Sequence, residues 1–281
     1  MHEITTLTPE QFTRFQQLIY RTTGIRMHDG KVTLMSNRIR QRLRHHGLDS
    51  FDDYYRLLSS RSRADEMAAF IDCITTNETS FFRTPAHFEW FGGAFLSGFA
   101  ARVRAGEHDP VLRVWSAACS TGEELYSLSI CAAENAHRIV GCRRLFLGTD
   151  ISETVLARAR EGRYGPRSFE GVDQRRIDRH FVTDPDGIHR TVKPTLRQGC
   201  EFRHHNLLEP MRGGPFDCVF IRNVMIYFDR DSKTTAVGHL IAALAPGGHL
   251  VVGPADGIHD LLGGLQKRDT FLYQKPVAPT T

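Results

Sequence analysis

Arg113-Val114-Trp115-Ser116-Ala117-Ala118-Cys119-Ser120-Thr121-Gly122-Glu123-Glu124 is the stretch that decides the fold. Val111–Ala117 reads as a buried strand. A loop of small residues follows, and a helix opens at Glu123 and runs to about His137. The same unit recurs downstream. Leu145–Thr149 precedes a helix over Ser152–Glu161, and Phe216–Ile221 precedes a helix over Asp231–Leu244. Pro246-Gly247-Gly248 stops that last helix, and His249–Val252 is the next strand. Val219-Phe220-Ile221 and Leu250-Val251-Val252 are apolar without alternation, as strands covered on both faces are. The alternation predicts an α/β fold, a doubly wound and mostly parallel sheet. Leu265 to Gln274 fits an antiparallel hairpin at its edge.

Upstream the pattern is helical. Thr8-Pro9-Glu10-Gln11 carries a Thr N-cap, Pro at the first helical position and Gln three residues after the cap. Phe12, Phe15, Leu18 and Ile19 follow at helical spacing, and Gly24 is a stop. A second helix is predicted from about Lys31 to His45, with Val32, Met35, Ile39 and Leu43 inward. Beside that face Lys31, Arg38 and Arg42 form a basic stripe, with Arg40 and Arg44 further round and no acid within the set. Short helices over Phe51–Leu58 and Ala64–Ile71 complete a small all-α N-terminal domain, residues 1–73. Residues 74–281 form the second domain. Within it, the turn Asp184-Pro185-Asp186-Gly187 and its flanks, with Ile188, Val192, Leu196 and Phe202, predict an inserted antiparallel β subdomain at about 181–205.

The 281 residues carry a net charge of +4, which permits an acidic partner without demanding nucleic acid. No apolar run reaches the roughly 20 residues that span a bilayer. Met1–Thr6 lacks a secretion-signal pattern. The six cysteines form no Cys-x-x-Cys pair, which fits free thiols in a reducing cytoplasm. No Cys or His pairs have zinc-ligand spacing, so no metal is expected.

In open α/β sheets, ligands bind outside the carboxyl ends of the strands. The loop after the first strand is no phosphate loop, because it lacks the Gly-Lys-Ser/Thr ending. Two acids just inside a helix suit a cationic ligand. Asp150 ends the second strand, where an acid accepts hydrogen bonds from ribose hydroxyls. Together these favour S-adenosylmethionine (SAM), which has a sulfonium and an ammonium but no phosphate. Ser120-x-x-Glu123 and Thr121-x-x-Glu124 both fit a capping box. We assign Glu124 to the cap and Glu123 to the methionine ammonium. The run Arg222-Asn223-Val224-Met225-Ile226-Tyr227-Phe228 lacks the Pro-Pro-Tyr that enzymes methylating base amines show, which argues against nucleic acid as substrate.

Four blocks together resemble the chemotaxis receptor methyltransferases, the CheR family. They are Ile74-Thr75-Thr76-Asn77-Glu78-Thr79-Ser80-Phe81-Phe82-Arg83, the Arg113–Glu124 run, Gly148-Thr149-Asp150-Ile151, and Phe216-Asp217 through Tyr227-Phe228. The resemblance covers nearly the whole chain. It implies a seven-stranded SAM-methyltransferase sheet, SAM as cofactor and S-adenosylhomocysteine as product. It implies methyl transfer to glutamate side chains of chemotaxis receptors in the cytoplasm, at receptor arrays. By motif, Asn77, Thr79 and Arg83 line the cofactor site, Glu123 holds the methionine end and Asp150 the ribose. Asn206 and Leu207 sit by the adenine, and Arg222 and Asn223 lie on the substrate side. Arg83 and Tyr227 flank the transferred methyl group. Lys31, Arg38, Arg40, Arg42 and Arg44 are candidates for docking acidic receptor helices.

Two positions depart from the family. Gly253-Pro254-Ala255-Asp256 replaces the usual Gly-His-Ser-Glu, and Leu125 replaces a proline. The short turn at Asp184–Gly187 leads us to expect no tether to a receptor's C-terminal pentapeptide. The competing readings are a protein carboxyl methyltransferase of a non-motility signalling array, a SAM-binding adaptor without catalysis, and a nucleic-acid methyltransferase.

Overall fold

The computed structural model describes residues 6–60 and 64–277. The secretion-signal reading of Met1–Thr6 therefore lies outside them, save Thr6. The helical unit begins with α1, Pro9–Thr23. The Thr8 hydroxyl accepts from the Gln11 N–H while the Gln11 side chain accepts from the Thr8 N–H, so the predicted capping box is formed. Gly24 ends the helix at φ 73°. Then come α2 (Val32–His46), α3 (Phe51–Ser59) and α4 (Ala64–Ile74). Phe12, Phe15, Ile19, Met35, Ile39, Tyr54 and Phe70 form their shared core.

Residues 75–84 are irregular and lead into α5 (Pro85–Trp90) and α6 (Leu96–Arg104), joined by one π turn. The α/β unit then runs β1 (Val111–Ala117), α7 (Glu123–Glu134), β2 (Arg143–Asp150) and α8 (Glu153–Glu161). Next come β3 (Arg163–Tyr164), α9 (Gln174–His180), β4 (Phe181–Thr183), β5 (Arg190–Val192), α10 (Pro194–Arg197) and β6 (Cys200–His204). It finishes with β7 (Phe216–Ile221), α11 (Arg230–Ala243), β8 (Leu244–Val252), β9 (Gln266–Lys267) and β10 (Leu272–Gln274).

The main sheet has seven strands in the order β6-β2-β1-β7-β8-β10-β9. All neighbours are parallel up to β8, and β8-β10-β9 is antiparallel. The doubly wound sheet and its edge hairpin are as predicted. Both faces are covered: along β1, Leu112 and Val114 enter the core under α5–α8, while Trp115 and Ala117 enter the one under α11.

The insert differs from expectation. Its three-stranded antiparallel sheet, order β3-β5-β4, draws on residues 163–192. Residues 200–204 instead join the main sheet as β6, pairing parallel to β2. As an edge strand, β6 buries only Phe202 of its five residues, so its pattern imitates a half-exposed antiparallel strand.

Candidate active site

Chain order reverses direction across the sheet between β1 and β7, and a cavity of about 280 Å³ opens there at the strands' carboxyl ends. Its floor is the loop after β1, with Ala118, Cys119 and Ser120, and its walls follow β2, β6 and β7. Residues 74–80 and Arg83 close one side, and the 23–38 segment of the helical unit closes the other. The site is therefore shared between the two units.

The floor loop is held in a tight left-handed path. Ala118 (φ 59°), Ser120 (φ 50°) and Gly122 (φ 92°) all have positive φ, which costs energy for the two residues that carry a Cβ. At Gly122 a Cβ would also lie 2.8 Å from that of Ala159. Gly122 is the N-cap of α7 and neither predicted capping box forms. The path is fixed instead from outside. The Cys119 N–H donates to the Thr149 carbonyl (2.8 Å), and the Ser120 N–H donates to Asp150 Oδ2 (2.9 Å). The Ser120 hydroxyl donates to the Asn77 carbonyl (2.9 Å).

Asp150 is buried, and Oδ1 accepts from the Ser152 N–H (3.0 Å). Burial pushes its pKa up, while the backbone N–H groups of Ser152, Ser120 and Ile151 oppose that shift. A carboxylate has about four lone-pair sites, so acceptor capacity remains for ligand hydroxyls.

The two glutamates of α7 lie differently from what was expected of them. Glu123 is buried away from the cavity. It accepts from the hydroxyls of Thr121 (2.6 Å) and Ser168 (3.0 Å), and burial raises its pKa. Glu124 lines the cavity, so it and not Glu123 is the acid on the ligand side. It accepts from Ser116 Oγ (2.8 Å) and forms an ion pair with Arg222 Nη1 (2.9 Å). Arg222 Nη2 donates to the Arg83 carbonyl, and the guanidinium lies 5.6 Å from the Phe88 ring centre.

The other expected site residues, Asn77, Thr79, Arg83, Asp150, Asn206, Leu207, Arg222, Asn223 and Tyr227, all line the cavity. Arg83 is exposed at its rim, with Nη1 donating to the Glu78 carbonyl (3.0 Å). Its neighbours explain its fixity. Phe81 packs on Phe169, Tyr164 and Phe181, and Phe82 lies under Arg176, so two buried rings anchor the loop. Asn206 Nδ2 donates to the Thr22 carbonyl (2.9 Å), a tie between the units.

The basic helix needs correction. Arg42 faces Glu66 of α4, donating through Nε (3.0 Å) and Nη2 (2.5 Å), and Glu66 also takes Tyr54 OH (2.6 Å) and contacts His46 (2.6 Å). Arg38 donates to the carbonyls of Ile74 and Thr75 and lines the cavity. Both guanidiniums are engaged by the fold, Arg42 by an acid from another helix and Arg38 by backbone carbonyls. Arg40 bonds Asn37, and Arg44 donates to the Arg40 carbonyl (3.4 Å). Arg26 and His28, which sequence reasoning missed, are exposed on the cavity's rim beside Lys31. Nothing in a short interhelical loop marks them; only the fold brings them there.

Comparison with known proteins gives two matches that tile the chain. Residues 77–270 match the CheR methyltransferase SAM binding domain, and residues 10–75 match the CheR methyltransferase all-alpha domain. The chain belongs to the CheR family of methyltransferases. It is 37% identical to the chemotaxis protein methyltransferase of Salmonella typhimurium, over 95% of this chain and 90% of that one. It is also 37% identical to that of Escherichia coli, over 97% and 93%, and 33% identical to Cher2 of Pseudomonas putida, over 89% and 91%. This CheR-family chain is thus a SAM-dependent methyltransferase of chemotaxis. The donor set fits the cofactor: two fixed acids, a backbone-lined floor and no phosphate loop suit a cationic ribonucleoside. Among the described residues no helix is long and apolar enough to cross a membrane.

Proposed function

We propose that this methyltransferase esterifies glutamate side chains of chemotaxis receptors, forming methyl esters that serve sensory adaptation. The observation that carries the reading is the polarity of the cavity. Asp150 lies inside it, held by backbone N–H groups, with Glu124 paired there to Arg222, while three exposed cations, Arg26, Lys31 and Arg83, outnumber the one exposed acid among the described residues, Glu78, at its rim beside Tyr227. An anionic side chain is drawn to such a rim and a cationic cofactor to such an interior.

When bound, SAM supplies an electrophilic methyl group on a good leaving group. The residues then have little proton chemistry to perform. A glutamate, with a pKa of about 4.3, is already an anionic nucleophile at neutral pH, so no general base is needed. Asp150 accepts from the ribose hydroxyls, Asn206 and Leu207 flank the adenine, and Asn77 and Thr79 border the cofactor from the linker. Glu124 takes the role first assigned to Glu123, facing the methionine end. Arg83 and Tyr227 orient the incoming carboxylate, with Arg222 and Asn223 behind them. Orientation and exclusion of water supply on the order of 7–11 kcal/mol in well-aligned systems. An arginine gripping the carboxylate too firmly would stabilise the ground state and slow the transfer. Arg83 already shares its guanidinium with the Glu78 carbonyl, which moderates that grip.

The test is transfer of radiolabelled methyl from SAM to receptor-containing membranes. Label on the receptor band, released by mild base as methanol, is the expected result. Label that resists base, or none on receptors, would overturn the reading.

A further inference from the structure

One fully buried carboxylate lies outside the cavity and has no part in the chemistry above. Asp256 follows β8, in the loop where the sequence departs from its family. Its oxygens accept three backbone hydrogen bonds from a single turn. Asn223 N–H donates to Oδ2 (2.8 Å), and the N–H groups of Val224 (3.0 Å) and Met225 (2.9 Å) donate to Oδ1. The Asp256 carbonyl accepts from Lys233 Nζ (2.9 Å) of α11, which fixes the loop from behind. Room for the carboxylate comes from Gly253, where a Cβ would lie 2.3 Å from Asp256 Oδ2.

The turn needs this support. Asn223 has φ 60°, a left-handed conformation that a residue with a side chain rarely adopts. It leads straight into Met225–Tyr227, a single helical turn from which Ile226 and Tyr227 face the cavity. On its other side, Tyr227 offers its carbonyl to the Arg26 N–H (2.8 Å), and Phe228 forms an antiparallel bridge with Ile25. The segment bearing Tyr227 is thus mounted from two directions. The three hydrogen-bond donors at 2.8–3.0 Å from the Asp256 side chain all belong to this segment.

We propose that Asp256 is a positioning residue. It gathers the Asn223–Met225 backbone onto one carboxylate and so aims Asn223 and Tyr227 into the cavity, without itself touching cofactor or substrate. The inference rests on the methyl-transfer reading above.

The experiment uses the full chain and three variants, Asp256→Asn, Asp256→Glu and Gly253→Ala. Asn at 256 sets an amide against converging N–H donors. Ala at 253 leaves Asp256 chemically intact but crowds its carboxylate and, at 3.1 Å, the Asn223 backbone nitrogen too, so its loss of kcat counts toward the proposal only alongside that of Asp256→Asn, whereas an unchanged kcat counts against it. Both are expected to lower kcat for receptor methylation by roughly ten- to a hundredfold, as a misplacement near 1 Å can. Affinity for S-adenosylhomocysteine, by calorimetry, should stay within about threefold, and KM for receptor likewise. Asp256→Glu, which keeps the charge, should recover most of kcat. Hydrogen exchange at the amides of residues 223–225 should quicken in Asp256→Asn and Gly253→Ala only. A kcat within about twofold of the parent in Asp256→Asn and Gly253→Ala overturns the proposal. So does a loss of kcat matched by an equal loss of cofactor affinity. If Asp256→Asn does not fold, Asp256→Glu decides: retained kcat and slow exchange at residues 223–225 support the proposal, and quickened exchange with unchanged kcat overturns it. If the parent chain methylates no receptor, the functional reading fails separately, and unaltered exchange at residues 223–225 in the variants then overturns the positioning role.

Discussion

Glu123 and Glu124 are neighbours in sequence and strangers in environment. Successive residues on a helix point about 100° apart, so only one of the pair can face the ligand. Which one depends on the rotation of α7 about its axis, and that is set by packing against the sheet. Ser116 and Arg222 draw Glu124 inward, while Thr121 and Ser168 hold Glu123 in the protein. Local spacing allowed both assignments, and the capping argument could not choose between them because Gly122, the N-cap, carries no side chain to cap with. Glu124→Gln is expected to weaken S-adenosylhomocysteine binding about tenfold, the value of one charge-assisted contact. Glu123→Gln should leave that affinity within about twofold and cost about 1 kcal/mol of stability. Calorimetry and thermal unfolding on the two variants check this; equal losses of affinity would restore the original assignment.

At the scale of elements, α2 illustrates a stripe that looks like a docking surface and is partly a seam. Glu66 of α4 collects Arg42, Tyr54 and His46, and its pKa falls to about 2 despite burial, because these partners favour the charged form. Its folded value lies below the unfolded value of 4.5, so the stabilisation is complete above pH 4.5 and drains away as pH falls toward 2. Glu66→Gln should flatten that acid limb in a pH series of unfolding midpoints. Arg42→Met, which strands the carboxylate, should destabilise the chain by about 3 kcal/mol at neutral pH. An unchanged acid limb in Glu66→Gln would contradict the pairing. The helices themselves were legible, down to the Thr8 capping box, because caps and apolar spacing are local. So were β1 and β7, whose ends match the reading residue for residue. The fate of residues 200–204 was not: a strand at the edge of a parallel sheet and a strand of a small insert show the same half-buried pattern, and only the partner distinguishes them. The Arg42–Glu66 pair was hidden for a like reason, since 24 residues separate its members.

For the whole molecule, the question is how charge on the helical unit serves a site built mainly by the other. With Arg38 and Arg42 engaged internally, the proposed steering would rest on Arg26, Lys31, Arg44 and Arg83, which are exposed. Raising salt from about 0.1 M to about 1 M shortens the screening length from about 10 Å to about 3 Å. The initial rate of receptor methylation should fall at least about threefold over that range through KM, with cofactor affinity steady. A salt-independent rate would remove the steering role. The junction between the units adds a constraint of its own. Asn206 is tied to Thr22 where the cavity borders β6, and Tyr227 and Phe228 are tied to Arg26 and Ile25 where it borders β7. Tied at these points, the two units cannot part without breaking contacts made by residues that line the cavity. Exchange of spent for fresh cofactor is then expected to proceed through the rim, with the two units still joined.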